Sequence, residues 1–234
     1  QVLFIITVIS IGVTILCLGF RTPLLKFVFG QVEPDVMTAS KTYFFYTALS
    51  FPFIALYDAG ASIFRSLGNT RGPMAVSVVS NILNIGGNAI LIWVFHLGVS
   101  GAAIATLSSR VFCAIVVLIQ LRINRQPIVV RDYYKIRPDK EMIKRILALG
   151  IPSGVENSMF QLGKLAIQSS VSTLGTMAIA AQAMTNILEN LNGIAAIGVG
   201  IGLMTVVGQC LGAGRKDEAV YYIKKLCVIA ELIV

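Results

Sequence analysis

The chain has 234 residues, of which 56% are hydrophobic and only 13% are charged, and its net charge is +8. A soluble globular domain carries about 25% charged residues, so this composition excludes most soluble enzymes, nucleic-acid-binding domains and disordered proteins. The four cysteines show neither CxxC spacing nor a histidine partner, and three of them lie inside apolar runs. We interpret them as small core residues and not as a disulfide framework or a zinc site.

Seven apolar segments follow one another along the chain, and most reach the roughly 20 residues that a membrane helix needs. In chain order they are Val2–Phe20, Thr42–Leu67, Met74–Phe95, Val99–Leu121, Ile146–Leu174, Ala178–Leu211 and a shorter one from about Ala219. Backbone groups in hydrocarbon must be paired within a helix or a closed barrel, and these runs are longer than the alternating strands of a barrel. The sequence therefore predicts an all-α, polytopic membrane helix bundle.

Basic residues are concentrated in alternate loops. The loops at 65–73, 122–145 and 212–218 contain most of them, whereas the intervening loops contain Arg21, Lys26 and Lys41. Positively charged loops stay in the cytoplasm, so we expect a multi-pass protein of the plasma (inner) membrane with those three loops on the cytoplasmic side. The positive charge thus indicates topology in the lipid bilayer, and no nucleic-acid partner is expected.

The longest polar segment divides the chain into two parts. We predict a basic cytoplasmic linker at 122–145, between an N-terminal lobe at 1–121 with four spans and a C-terminal lobe at 146–234 with two spans and the start of a third. An interfacial segment against anionic headgroups and an ordinary long loop both remain open for this linker. Residue 1 is Gln, and the last apolar run ends without a cap. We expect an internal piece of a larger polytopic protein, whose missing helices would be partners of this chain.

An ordered series of short motifs runs through the whole chain. They read GASIFRSLGNTR at 60–71, GAAIAT at 101–106, LGIP at 149–152, AIAAQA at 178–183 and VGQCLGAGR at 207–215. In this order the series resembles the multidrug and toxic compound extrusion (MATE) family of cation-coupled antiporters. The resemblance implies a two-lobe transporter fold of twelve spans, of which this chain would hold spans three to eight and the start of nine.

Polar side chains inside the spans of the N-terminal lobe are functional candidates, because such groups are costly in hydrocarbon. Asn81, Asn84 and Asn88 lie on one face of a helix. Hydrogen bonding between helices and the lining of a cation or substrate cavity are both open interpretations. Arg110 lies deeper in its span than snorkelling explains comfortably, so we expect it to face the cavity.

Two further polar stripes lie on the consecutive spans that Gly175 joins. The first contains Asn157, Gln161, Lys164 and Gln168, and Glu156 flanks it. The second contains Gln182, Asn186, Glu189 and Gly193, and Asn190 lies beside it. Counted from Gly175 at 1.5 Å per residue, Lys164 and Glu189 both lie roughly 16–21 Å deep. We therefore predict a Lys164–Glu189 ion pair near the midplane.

Two roles are open for this pair. It is either a fixed bridge that neutralises buried charge, or a coupling device in which the carboxylate exchanges its lysine partner for Na⁺ or H⁺. Glu156 is a second candidate carboxylate. One branch of the MATE family carries a glutamate one helical turn later, where this chain has Phe160, so Glu156 does not simply inherit that role.

The sequence contains no GxSxG, HExxH, P-loop or dinucleotide fingerprint. We expect no enzyme activity, no assigned metal centre and no cofactor beyond the coupling ion. The resemblance implies a secondary active antiporter that exports drugs or other organic, often cationic, compounds by alternating access. The alternative is a lipid-linked oligosaccharide or lipid flippase of a related fold, which would need several cavity cations where this chain offers Arg110 and Lys164. A third hypothesis is a membrane scaffold without transport, and the charged and amide side chains inside the spans argue against it.

Overall fold

A computed structural model describes residues 2–29, 34–123, 139–172 and 174–233, and the regular elements in these ranges are all helices. In chain order they are α1 (Val2–Gly19), α2 (Arg21–Phe29), α3 (Pro34–Leu49), α4 (Phe51–Ser66), α5 (Arg71–Ala89) with a π-helical extension (Ile90–Val94), α6 (Gly98–Arg122), α7 (Lys140–Ser172), α8 (Thr176–Gly212) and α9 (Lys216–Ile233). Their contacts divide the chain into two compact units, Gln1–Ile143 and Lys144–Val234, called here the first and the second unit.

Several helices are long and apolar enough to cross a membrane. Within the described ranges they are Val2–Gly19, Arg71–Val94, Gly98–Arg122 and Ala181–Gly212, and the bent pair Met37–Leu49 and Phe51–Ser66 adds a fifth if it counts as one span. The predicted all-α membrane bundle is confirmed. The helices α7 and α9 fall short of this apolarity because charged and amide side chains interrupt them, so their crossing of the membrane stays a prediction.

The second predicted span is broken at Ser50, where α3 and α4 meet at an angle of 40°. Pro52 has no backbone N–H, so the carbonyl of Ala48 loses its helical donor. The Thr14 hydroxyl of α1, which donates to Ser10, also lies 3.3 Å from that carbonyl oxygen. A proline thus turns one apolar run into two helices, and a neighbouring helix compensates part of the lost bonding.

In the first unit, α6 packs against α3, α4 and α5. The core of the first unit contains Phe64, Val117 and Leu121, all of which are fully buried. A Cβ atom at Gly60 would overlap the Cγ1 atom of Val117, so this glycine lets α4 and α6 approach closely. The small residues at 101–105 of α6 are also packed, since a Cβ at Gly101 would lie 3.1 Å from Leu91.

The described end of the polar segment at 122–145 is helical. Residues 124–138, most of the predicted linker at 122–145, lie outside the described ranges. The helix α7 begins at Lys140, because the Asp139 side chain caps it by accepting a hydrogen bond from the backbone N–H of Glu141 at 2.9 Å. This start lies six residues before the predicted span at Ile146, and Pro152 lies inside the helix.

Glycines end the helices of the second unit. Gly175, with a φ of +95°, lies directly before α8, and Gly214, with a φ of +75°, lies between α8 and α9. Backbone of this kind is readily adopted only by glycine. The helices α8 and α9 pack on each other, and an ion pair joins Arg215 and Glu218 at 3.4 Å at the start of α9.

Candidate functional site

In the second unit, α7 and α8 line a groove of about 770 Å³. This volume lies within the range of about 300–1,000 Å³ that small-molecule sites occupy. Its polar lining consists of Gln161, Lys164 and Gln168 from α7 and of Gln182, Asn186, Glu189 and Asn190 from α8. The structure thus brings together in one groove three residues of the first stripe and three of the second, with Asn190 beside them.

The predicted ion pair is present in this groove. The Lys164 Nζ atom lies 3.4 Å from the Glu189 Oε1 atom, and the two side chains are 47% and 58% exposed. The same Nζ atom lies 5.0 Å from the centre of the Phe160 ring. The ammonium group therefore has two attractive neighbours, a carboxylate and an aromatic face.

Amide side chains line the same groove as this pair. The Gln182 side chain donates to the Asn186 Oδ1 atom at 3.3 Å, one helical turn before Glu189. Amide side chains offer both donors and acceptors. The groove therefore provides oxygen ligands for a small cation beside a hydrophobic wall that contains Phe160 and Ile167.

Glu156 lies apart from this arrangement. It is an exposed residue of α7, and the described lining of the groove does not include it. The neighbouring Asn157 donates to the Ser153 carbonyl of its own helix at 2.9 Å. Of the two candidate carboxylates, the structure thus places Glu189 in the groove and Glu156 outside it.

The first unit contains a second, smaller cavity of about 250 Å³. Side chains of α4, α5 and α6 line it: Ile54, Tyr57, Ser77, Ser80, Asn81, Asn84, Thr106, Ser109, Arg110 and Cys113. Asn81, Asn84 and Arg110, three of the residues singled out in the sequence, thus face one cavity.

The asparagines of α5 also bond to other side chains. The Asn84 amide lies 3.3 Å from the Ser109 Oγ atom and 3.5 Å from the Thr106 Oγ1 atom, so it joins α5 to α6. Asn88 donates to the Asn84 Oδ1 atom at 3.1 Å and is not among the described lining residues. Asn84 therefore bridges helices and lines a cavity at once, and the two interpretations of this face do not exclude each other.

The hydroxyl residues of this cavity are not among those that the sequence singles out. Thr106, Ser109, Arg110 and Cys113 follow the same helical spacing as the amide stripes. This spacing in the sequence is a signal that they share one face of α6. Serine and threonine carry little information inside a membrane helix, because they often donate to their own backbone. The Thr106 hydroxyl does so, to the Ala102 carbonyl at 2.9 Å.

A family model described as MatE matches residues 1–90 and 152–234. The chain belongs to the MatE family. The identity predicted from the ordered motifs is thereby confirmed, and the match includes the helices on both sides of the second unit's groove.

Curated relatives of this MatE chain are longer than it is. The probable multidrug resistance protein NorM of Thermotoga maritima is 27% identical over 228 residues, which cover 94% of this chain and 48% of the relative. The probable multidrug resistance protein YoeA of Bacillus subtilis is 29% identical over 192 residues, which cover 79% of this chain and 41% of the relative. The chain thus spans less than half the length of these two relatives.

Solved structures show the same MatE fold. A multidrug resistance MATE transporter of the MOP superfamily in an outward-facing conformation matches with a TM-score of 0.89 at 22% identity, over 99% of this chain and 51% of that one. A MATE structure in a bent conformation matches with a TM-score of 0.87 at 22% identity, over the same shares. Membership of the MatE family and the long apolar helices together show that the chain is embedded in a membrane.

Proposed function

We propose that this chain forms part of a secondary active antiporter that exports drugs or other organic, often cationic, compounds in exchange for Na⁺ or H⁺. The observation that carries the proposal is the Lys164–Glu189 pair inside a groove of about 770 Å³. The names of the relatives NorM and YoeA, which describe multidrug resistance proteins, support the efflux of organic compounds.

The pair has the properties that an exchangeable site requires. A lone charge at the centre of a membrane helix costs about 3 kcal/mol on insertion scales, so the two charges favour each other. A solvent-exposed ion pair contributes only about 0–1 kcal/mol, and both side chains are about half exposed here. Lys164, whose ammonium group already lies over the Phe160 ring, can therefore release Glu189 when a cation or proton reaches the carboxylate.

The substrate would bind in the same groove. Its volume and apolar walls suit an organic compound, and a carboxylate beside an aromatic ring attracts a positively charged group. Because the coupling ion and the substrate would both use Glu189, binding of one disfavours the other. Alternating access of such a site to the two membrane faces couples the two fluxes.

The basic loops support an orientation for this transporter. Arg65 and Arg71 flank the turn between α4 and α5, and Arg215 and Lys216 lie where the turn after α8 meets the start of α9. We place both turns on the cytoplasmic side of the plasma membrane, following the positive-inside rule. The partners of the chain in this proposal are the lipid bilayer, its organic substrates and the remaining helices of the intact protein.

The test is whether an imposed ion gradient alone drives transport by the intact protein. A fluorescent organic cation dye is added to the medium outside everted vesicles. A gradient of either Na⁺ or protons, with the higher concentration inside the vesicles, is then applied without ATP. We expect one of the two gradients to drive dye into the vesicles, and vesicles that lack the protein to show no such uptake. Dye uptake that responds to neither gradient would contradict the antiporter.

A further inference from the structure

Another cavity of the first unit lies where α2 meets α3, and we call it the cationic pocket. Its volume is about 370 Å³, within the range of small-ligand sites. Its described lining consists of Arg21, Thr38, Lys41, Thr42, Phe45 and Tyr46. None of these residues lines the groove at Glu189 or the smaller cavity that contains Asn84. The proposed antiport therefore gives the cationic pocket no role.

Two side chains of the cationic pocket are positively charged. Arg21 begins α2 and Lys41 lies on α3, so two helices bring one cation each to the same pocket. The described lining contains no acidic residue, and within the described ranges neither cation forms an ion pair. Like charges that line one pocket repel each other, and a bound anion relieves this repulsion. The charge of the pocket thus favours an anionic ligand.

The lengths of the helices place this pocket at the depth of the lipid headgroups. Arg21 follows closely on the apolar helix Val2–Gly19, whose 18 residues extend over about 27 Å of the roughly 30 Å hydrocarbon core. Lys41 lies four residues after Met37, where the bent span begins, and a lysine there can extend its ammonium group to the membrane surface.

Orientation in the membrane does not account for these two cations. Basic loop residues concentrate on the cytoplasmic side, which in the proposed topology contains the turn at Arg65 and Arg71. That turn follows the far end of the bent span, so Arg21 and Lys41 lie at the outer surface. A local anion accounts for two cations on a side where basic residues are scarce.

Apolar and aromatic side chains adjoin the two cations. The Phe45 and Tyr46 rings meet edge to face with their centroids 5.5 Å apart, and tyrosine is enriched at the membrane interface. At the end of α1, Leu16 and Phe20 are 59% and 58% exposed, and their spacing puts them on one helix face. A ligand with an anionic head and an apolar tail matches both parts of this surface, whereas a free anion uses only the charges.

We propose that the cationic pocket binds the phosphate group of an anionic phospholipid. The phosphate oxygens would accept from the planar fork of Arg21, a geometry that matches arginine and phosphate bidentately, and from the Lys41 ammonium group. The Thr42 hydroxyl donates to the Thr38 carbonyl at 3.1 Å, and its oxygen can accept from a glycerol headgroup. A zwitterionic headgroup would bring a positive charge to two cations, so the pocket selects an anionic lipid. This site is independent of Glu189.

The test uses the purified intact protein in detergent and a short-chain phosphatidylglycerol, with phosphatidylcholine of the same acyl length as its zwitterionic counterpart. Isothermal titration at constant ionic strength should show phosphatidylglycerol binding at least about tenfold tighter than phosphatidylcholine. Absence of phosphatidylglycerol binding, or equal binding of the two lipids, would overturn the proposal. This comparison needs no variant and so does not depend on how a variant folds.

A headgroup without acyl chains separates a lipid site from a site for a soluble phosphate compound. Glycerophosphoglycerol carries the same phosphodiester as phosphatidylglycerol but no apolar tail. Because burial of apolar surface adds to binding, we expect it to bind at least about tenfold more weakly than the short-chain lipid. Equal binding of the two would assign the pocket to a soluble phosphodiester and overturn the lipid assignment.

Variants then locate the lipid. The double variant Arg21→Gln and Lys41→Gln should weaken phosphatidylglycerol binding at least about tenfold. The matched control, Arg71→Gln and Lys216→Gln, removes an arginine and a lysine from the exposed starts of α5 and α9 and should leave the affinity within about twofold. Unchanged binding in the first variant, or an equal loss in both, would overturn the proposal, since an equal loss indicates unspecific attraction.

A last variant tests whether the chain itself supplies the anion. Asp35 is the acidic residue of α3, six residues before Lys41. Loss of a carboxylate that acts only through the screened field should raise the affinity for phosphatidylglycerol by no more than about threefold. A larger rise in Asp35→Asn would overturn the proposal, because Asp35 would then compete for the two cations.

Discussion

Replacing Glu189 by glutamine is expected to abolish gradient-driven efflux, with a rate below about a tenth of that of the wild-type protein. Glutamine keeps the size of the side chain and its hydrogen bonds, but it neither takes up a proton nor provides a charge for Na⁺. Lys164, which lies 3.4 Å from Glu189, would lose its carboxylate partner. Uptake of a dye into everted vesicles under an imposed gradient measures the effect.

The control for this variant is Glu218→Gln. Glu218 also forms an ion pair at 3.4 Å, with Arg215, but it lies at the start of α9 and outside the described lining of the groove. We expect this variant to transport at close to the wild-type rate. Equal membrane amounts of both variants show that insertion is intact. Full transport by Glu189→Gln would remove Glu189 from the coupling mechanism.

Replacing Lys164 by glutamine is expected to lower the concentration of the coupling ion that gives half-maximal transport by about tenfold. Without the ammonium group, Glu189 has no competing cation, so Na⁺ or H⁺ binds more tightly. A factor of ten corresponds to about 1.4 kcal/mol, which is less than the cost of a lone charge in a membrane helix. Transport rates measured over a series of Na⁺ or proton concentrations reveal the shift.

Two controls separate this coupling role from a structural one. Lys164→Arg keeps the charge and should keep the ion dependence close to that of the wild type. Lys225→Gln removes a lysine of α9 that lies over the Tyr221 ring. This variant should leave the ion dependence of transport unchanged. If Lys164 serves only as a fixed bridge, Lys164→Gln lowers the amount of folded protein, and the remaining transport keeps its wild-type ion dependence.

The polar stripes of the second unit were readable from the sequence because each lies on one long helix. Helical spacing alone puts Gln161, Lys164 and Gln168 on one face. The short connection at Gly175 makes depth comparable on both sides, so counting residues predicts that Lys164 meets Glu189. Neither step requires knowledge of distant contacts.

Other features could not be predicted because they depend on tertiary contacts or on a competing local signal. The break at Ser50 follows from Pro52, but the apolar run around it has the length of one span. The neighbours of Arg110 come from α4 and α5, and helical periodicity does not say which helices meet. The early start of α7 depends on one side chain, Asp139, within a segment whose basic residues suggest a loop.

In the proposed mechanism substrate and ion exchange at Glu189, so the most direct measurement is reciprocal flux. Vesicles with the intact protein begin with equal Na⁺ and pH on both sides, an organic cation substrate is added on one side, and radioactive Na⁺ and internal pH are followed. The wild-type protein should move Na⁺ or H⁺ against the direction of the substrate, and Glu189→Gln should not. Substrate movement by the wild-type protein without any opposing ion movement would contradict antiport through Glu189.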